Sequence, residues 1–116
     1  MAAANLDLLI EQGATYEHRL TWKDKNGDPN DLTGLTARMQ IRASISSVDI
    51  LLELTTENGM IILGGTAGTV DLLINATDTA AINWKRGVYD LEIVTGPDDA
   101  NRLIQGKVAV SYEVTR

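Results

Sequence analysis

A chain of 116 residues, 44% apolar and 22% charged, has room for one packed core, and its composition is too ordinary for a disordered segment. It contains no cysteine, which excludes a disulfide framework and thiolate chemistry and fits synthesis in a cytosol. A formal net charge of −6 repels phosphate backbones, so a nucleic-acid partner is not expected; Arg38 and Arg42, separated by the neutral Gln40, make too small a basic patch.

The first residues lack the basic and apolar parts of a signal peptide, and no apolar run approaches the ~20 residues that span a bilayer. A soluble protein with no membrane partner is therefore expected. Leu6, Leu8 and Ile10 alternate with Asp7, Leu9 and Glu11, which makes residues 1–11 an edge strand or an extended arm. Tyr16, His18, Leu20 and Trp22 then share one face of a strand, with Glu17, Arg19 and Thr21 on the other. The stretch from Lys23 to Asp31 is a turn by its chemistry, with Asn26-Gly27 suited to positive φ and Pro29 ending any ladder.

Leu35, Ala37, Met39, Ile41 and Ala43 point inward from the next strand, and Thr36, Arg38, Gln40 and Arg42 point outward. Val48, Ile50, Leu52 and Leu54 repeat the pattern and predict a strand beginning at Val48. Asn58-Gly59 marks a second tight turn into the short run from Met60 to Leu63. After Gly64, Gly65 and Gly68, the residues Val70, Leu72 and Ile74 form another inward face.

The segment 75–83 breaks the alternation. Ala80-Ala81 sits behind residues able to cap a helix, which predicts one short helix near residues 77–82. Ile82 and Ala80 are expected to pack over one end of the fold, where the chain passes from one sheet to another. Strands return at 88–95 and 103–114. Ile104, Val108, Val110, Tyr112 and Val114 are expected to face in, with Gly106 at a bulge or a close approach. About seven or eight short strands without a long helix predict an antiparallel sandwich or barrel, a single domain over residues 1–116.

The residues that could carry chemistry each have a plainer reading. His18 is the single histidine, so no His pair can hold a metal, and it shares the apolar face of its strand as a core-edge residue. Asp24, Asn26, Asp28 and Asp31 suggest a calcium loop, but Gly27 stands at its fourth place rather than the sixth, and Leu35 occupies the twelfth, where a bidentate glutamate belongs. Asp90 and Glu92 share a strand face with nothing to mark a cleft. The glycine-rich segment 64–68 completes no phosphate-binding pattern. No catalytic residue, metal, cofactor or small-molecule substrate is therefore expected. A sugar-binding module needs exposed aromatic platforms, and Trp84 is the one candidate.

Four segments in order carry a family resemblance: DLTGLTARMQIR (31–42), LLELTTENGMIIL (51–63), GTVDLLINATDTAAINWKRGVYDLEI (68–93) and RLIQGKVAVSYEVTR (102–116). Together they resemble the baseplate upper protein N-terminal domain family and related phage and prophage proteins. They depart from it most at INWKRGVY (82–89), where relatives have a shorter approach to the Gly-Val-Tyr. The resemblance implies an all-β, Ig-like antiparallel sandwich. It also implies a structural role in a tailed-phage virion, in the tail, baseplate or fibre-attachment region, with other virion proteins and copies of itself as partners. A head decoration or head–tail connector protein is the alternative place in the particle, and a carbohydrate-binding or adhesin module is the alternative from another class.

Under this reading, apolar residues on outward faces mark contacts: Leu9, Leu51, Leu73, Leu103, Val88 and Val94 fall where a solitary sandwich favours polar side chains. The candidate contact set is Leu6, Leu8 and Ile10 of the arm, with Arg38, Arg42, Leu51, Leu73, Val94 and Leu103.

Overall fold

The computed structural model describes residues 3–115 and arranges them in two packed β-sheets. In chain order these residues form β1 (Ala4–Asn5), β2 (Leu8–Glu11), β3 (Tyr16–Thr21), β4 (Thr36–Arg42), β5 (Leu52–Thr55), β6 (Ile61–Leu63), a 3₁₀ turn (Gly65–Ala67), β7 (Thr69–Ile74), α1 (Ala76–Ala80), β8 (Arg86–Gly96) and β9 (Asp99–Ser111). The larger sheet runs β1-β9-β8-β4-β5, with β2 also paired to β9, and the smaller runs β3-β7-β6.

Alternation explains which residues meet between the sheets. Ala37, Met39 and Ile41 of β4, Val70, Leu72 and Ile74 of β7, and Tyr89, Leu91 and Ile93 of β8 are all buried, while the residues between them are not. The closing hairpin is the spine of the larger sheet. β9 is 13 residues long, and at about 3.3 Å per residue it matches the 44 Å long axis of the molecule.

The antiparallel order has one exception. β1 and β2 run parallel to β9, with Ala4 beside Ile104 and Leu8 beside Val108. The N-terminal segment is thus an edge strand of its own molecule. Gly106 is what lets it approach: a side chain there would collide with the Leu6 carbonyl oxygen, so the close-approach reading of this glycine holds.

The structure corrects several boundaries. The helix spans Ala76–Ala80 rather than 77–82, because the Asn75 side chain accepts a 2.8 Å hydrogen bond from the Asp78 N–H and starts it one residue earlier than expected. Thr79, not Ala80, is its buried residue; Ala80 is exposed, and Ile82 is buried beyond the helix end. As expected, α1 lies where the chain leaves the smaller sheet at β7 and enters the larger at β8.

The strand predicted from Val48 begins only at Leu52, and Val48 and Ile50 are 89% and 42% exposed. Ala43 is exposed as well. Strand β9 ends at Ser111, so Tyr112 and Val114 lie outside the sheet, 43% and 92% exposed, rather than inside it. At the Asn58-Gly59 turn, the Asn58 side chain accepts from the N–H groups of Thr55 and Met60, and Gly59 takes the expected positive φ of 82°.

Candidate functional site

The candidate contact residues do not form one surface. Leu8 and Ile10 are 5% and 1% exposed in the core, so they are unavailable to a partner. Parallel pairing with β9 turns their face toward the smaller sheet and leaves Leu9 outside, 57% exposed. Leu6, Leu51 and Leu103 are half-buried and packed against the same core. For Leu103 the cause is a bulge: Leu91 pairs with Ile104 but Glu92 pairs with Arg102, so Leu103 is the extra residue and leaves the outward row. Leu73 and Val94 remain on outer faces, half-buried beside their strand neighbours.

Both arginines are committed within the chain. Arg38 Nε donates to Glu92 Oε1 at 2.8 Å across β4 and β8. Arg42 Nη1 donates to the Ser47 carbonyl at 3.0 Å and also to that of Val48, while Nη2 donates to Gln40 Oε1 at 2.7 Å. A planar fork spent on backbone carbonyls positions a loop.

That loop, residues 43–50, is the feature the periodicity concealed. Ser47 N–H bonds the Ser44 carbonyl, the hydroxyls of Ser44 and Ser47 lie 2.9 Å apart, and Leu51 N–H bonds the Ile41 carbonyl to close it. The ordered loop lifts Ile45 and Val48 into water, 92% and 89% exposed, with Ile50 behind them. Ile45 and Ser44 border a shallow groove on the outer face of the larger sheet, whose floor includes Val88, Asp90 and Lys107. The sequence signal for the loop is the serine cluster at 44, 46 and 47, which favours side chain–backbone turns over a ladder.

The chemical candidates have structural roles. Asp24 Oδ1 accepts from the N–H groups of Asn26 and Asp28 at 2.9 and 3.0 Å and so builds its own turn. Asp31 accepts from the hydroxyl and N–H of Thr33, which hold its carboxyl below the usual carboxylate range. Among the described residues no three His, Cys, Asp or Glu side chains converge on a metal position. Asp90 and Glu92 are paired to Arg102 and Arg38 across the sheet, at 3.5 and 2.8 Å. His18 is half-buried on β3 opposite Leu72. Trp84 packs half-buried against the core, and the exposed ring of Tyr112 carries the Lys85 ammonium at 5.5 Å.

No family model matches the chain, and no curated protein sequence does. The phage resemblance therefore rests on the four segments themselves. Among solved structures, an extracellular domain of the voltage-gated sodium channel β4 subunit, reported as a parallel homodimer, superposes with a TM-score of 0.50 at 15% identity, covering 98% of this chain and 97% of its own. Tim-1 superposes with a TM-score of 0.48 at 16% identity, covering 100% and 99%. At such identities the likeness is one of fold: the chain is an all-β, Ig-like sandwich with one short helix.

Proposed function

We propose that the chain is a non-enzymatic assembly module, a structural protein of a tailed-phage virion. Its place is the tail, baseplate or fibre-attachment region, with the head surface or connector as the alternative position. The observation that carries the contact role is the 43–50 loop: hydrogen bonds from Arg42 and within the serine turn shape it, and Ile45 and Val48 stand out into water. A pre-ordered apolar tip loses little entropy when a partner covers it, and in isolation it only exposes apolar surface. The phage assignment is supported by the order of the DLTG, Asn-Gly, Gly-Val-Tyr and C-terminal segments. The virion reading over the carbohydrate one is supported by Trp84, the aromatic candidate for a sugar platform, packing half-buried against the core.

Mass spectrometry of purified particles tests the assignment, and the chain is expected there in several copies. Its absence, with retention on a glycan array instead, would overturn the virion reading in favour of an adhesin. The double variant Ile45→Asp/Val48→Asp tests the loop. Stability should change by no more than about 0.5 kcal/mol because both side chains are already in water, while incorporation should fall about tenfold or more. Particles that take up the variant as well as the parent chain would place the contact elsewhere.

A further inference from the structure

We propose that the open edge of β3 is a self-association site, at which two copies of the chain pair antiparallel about a two-fold axis through His18. The smaller sheet ends at β3, with β7 on its inner side and no strand beyond it among the described residues. A groove bordered by Glu11, Ala14, Thr15, Tyr16 and His18 runs between β2 and the first half of β3.

The backbone phase of this edge is determined by its neighbours. Leu73 N–H bonds the Met60 carbonyl and Gly64 N–H bonds the Thr69 carbonyl, so the odd residues of β7 turn toward β6. The even residues Val70, Leu72 and Ile74 therefore bond β3, opposite Leu20, His18 and Tyr16. Trp22 N–H, bonded to the Gly68 carbonyl, continues that phase. The N–H and C=O groups of Glu17, Arg19 and Thr21 thus point away from β7 into the open edge.

A two-fold axis at His18 sets Glu17 opposite the partner's Arg19 and Arg19 opposite the partner's Glu17. Thr15 falls opposite the partner's Thr21. Every outward-pointing backbone group then meets another, and both charged positions on the outer face meet their opposites. On the inner face, Tyr16 covers the partner's Leu20. Moving the axis one residue either way sets Glu17 against the partner's Glu17, or Arg19 against the partner's Arg19, and like charges directly opposite are unfavourable.

Charges on an edge strand ordinarily discourage pairing. Opposite charges two residues apart on one strand do not, because they complement themselves in the antiparallel arrangement. Arg19 is also held in place before any partner arrives, by Nε and Nη2 bonds to Asp71 at 2.7 and 2.9 Å, so it would sit between Asp71 and the partner's Glu17. The joined molecules share one continuous six-stranded sheet, β6-β7-β3 running into its own copy. This inference does not rest on the virion reading: a virion protein that docks as a monomer survives its failure.

Sedimentation velocity at ~100 µM tests it, since an edge contact smaller than the standard ~1,600 Å² associates weakly. The parent chain is expected to show a monomer–dimer equilibrium. Glu17→Lys and Arg19→Glu each place like charges opposite one another twice, and each should weaken the dimer about tenfold. Mixing the two variants restores both opposite-charge pairs across the contact, though not the Arg19–Asp71 pair within the Arg19→Glu chain, so a heterodimer tighter than either variant homodimer should form.

Because the chain has no cysteine, His18→Cys supplies a second measurement. Two copies facing at a non-hydrogen-bonded position bring their Cβ atoms to about 4.5–5.5 Å, and an interchain disulfide should form under mild oxidation, far faster than for Thr21→Cys. A strictly monomeric parent, a dimer indifferent to both charge variants, or equal crosslinking at the two cysteine positions would overturn the inference.

Discussion

Tyr89 is 5% exposed on β8, and its hydroxyl donates to the Leu6 carbonyl at 2.6 Å, across 83 residues of chain. One phenol thus ties the N-terminal segment to the centre of the larger sheet. Burial, and after it the neighbouring Tyr16 and Asp7, push this hydroxyl well above the usual tyrosine range. Folding therefore favours the protonated form. Its contribution is complete below the unfolded value of about 10 and is lost as pH rises above it. Tyr89→Phe should cost about 1–3 kcal/mol at neutral pH, because the Leu6 carbonyl loses its donor. It should also flatten the alkaline fall in Tm, which thermal melts across that range would measure; a parallel fall in both proteins would refute it.

At the scale of the element, α1 is too short to stand alone, and its stability comes from what it touches. Thr79 is fully buried, accepts a hydrogen bond from Gly13 N–H at 3.1 Å and donates to the Ala14 carbonyl at 2.8 Å. The helix is thereby fastened to the turn between β2 and β3, with Gln12 adding a 2.8 Å bond to the Ile82 carbonyl. Thr79→Val keeps the shape and removes the hydroxyl's bonds to Gly13, Ala14 and the Ala76 carbonyl, so it should lower stability by about 1–3 kcal/mol. Amide exchange at Gly13 should accelerate with it; unchanged urea midpoints would show that water replaces the hydroxyl without loss.

For the whole molecule, the decisive choice is where the first eleven residues go. As a free arm they could be deleted at no cost to the fold. Paired to β9 they supply Leu8 and Ile10 to the core and cover an edge of the longest strand. Deleting residues 2–11 is therefore expected to destabilise the domain by at least ~4 kcal/mol, since each buried aliphatic side chain is worth ~2–5 kcal/mol. Chemical denaturation of the truncated chain checks this, and an unchanged midpoint would restore the arm. The same pairing leaves the smaller sheet three strands wide with β3 at its edge.

Alternation alone determined the strands and an antiparallel sandwich or barrel, because period-two burial at Ala37 to Ile41, Val70 to Ile74 and Tyr89 to Ile93 is a local property of strands; the division into two sheets is tertiary. The turn at Asn58-Gly59 and the helix between sheets were legible for the same reason: they rest on residues adjacent in the chain. The contact surface was not. Val48 and Ile50 alternate like core residues, yet Arg42 and the serine turn lift them out; Leu103 alternates like a surface residue, yet a bulge turns it in. Which edge lies open depends on the parallel docking of Leu8 and Ile10 against a strand about 100 residues away. These outcomes depend on hydrogen bonds and burial among distant residues, so only the tertiary structure could decide them.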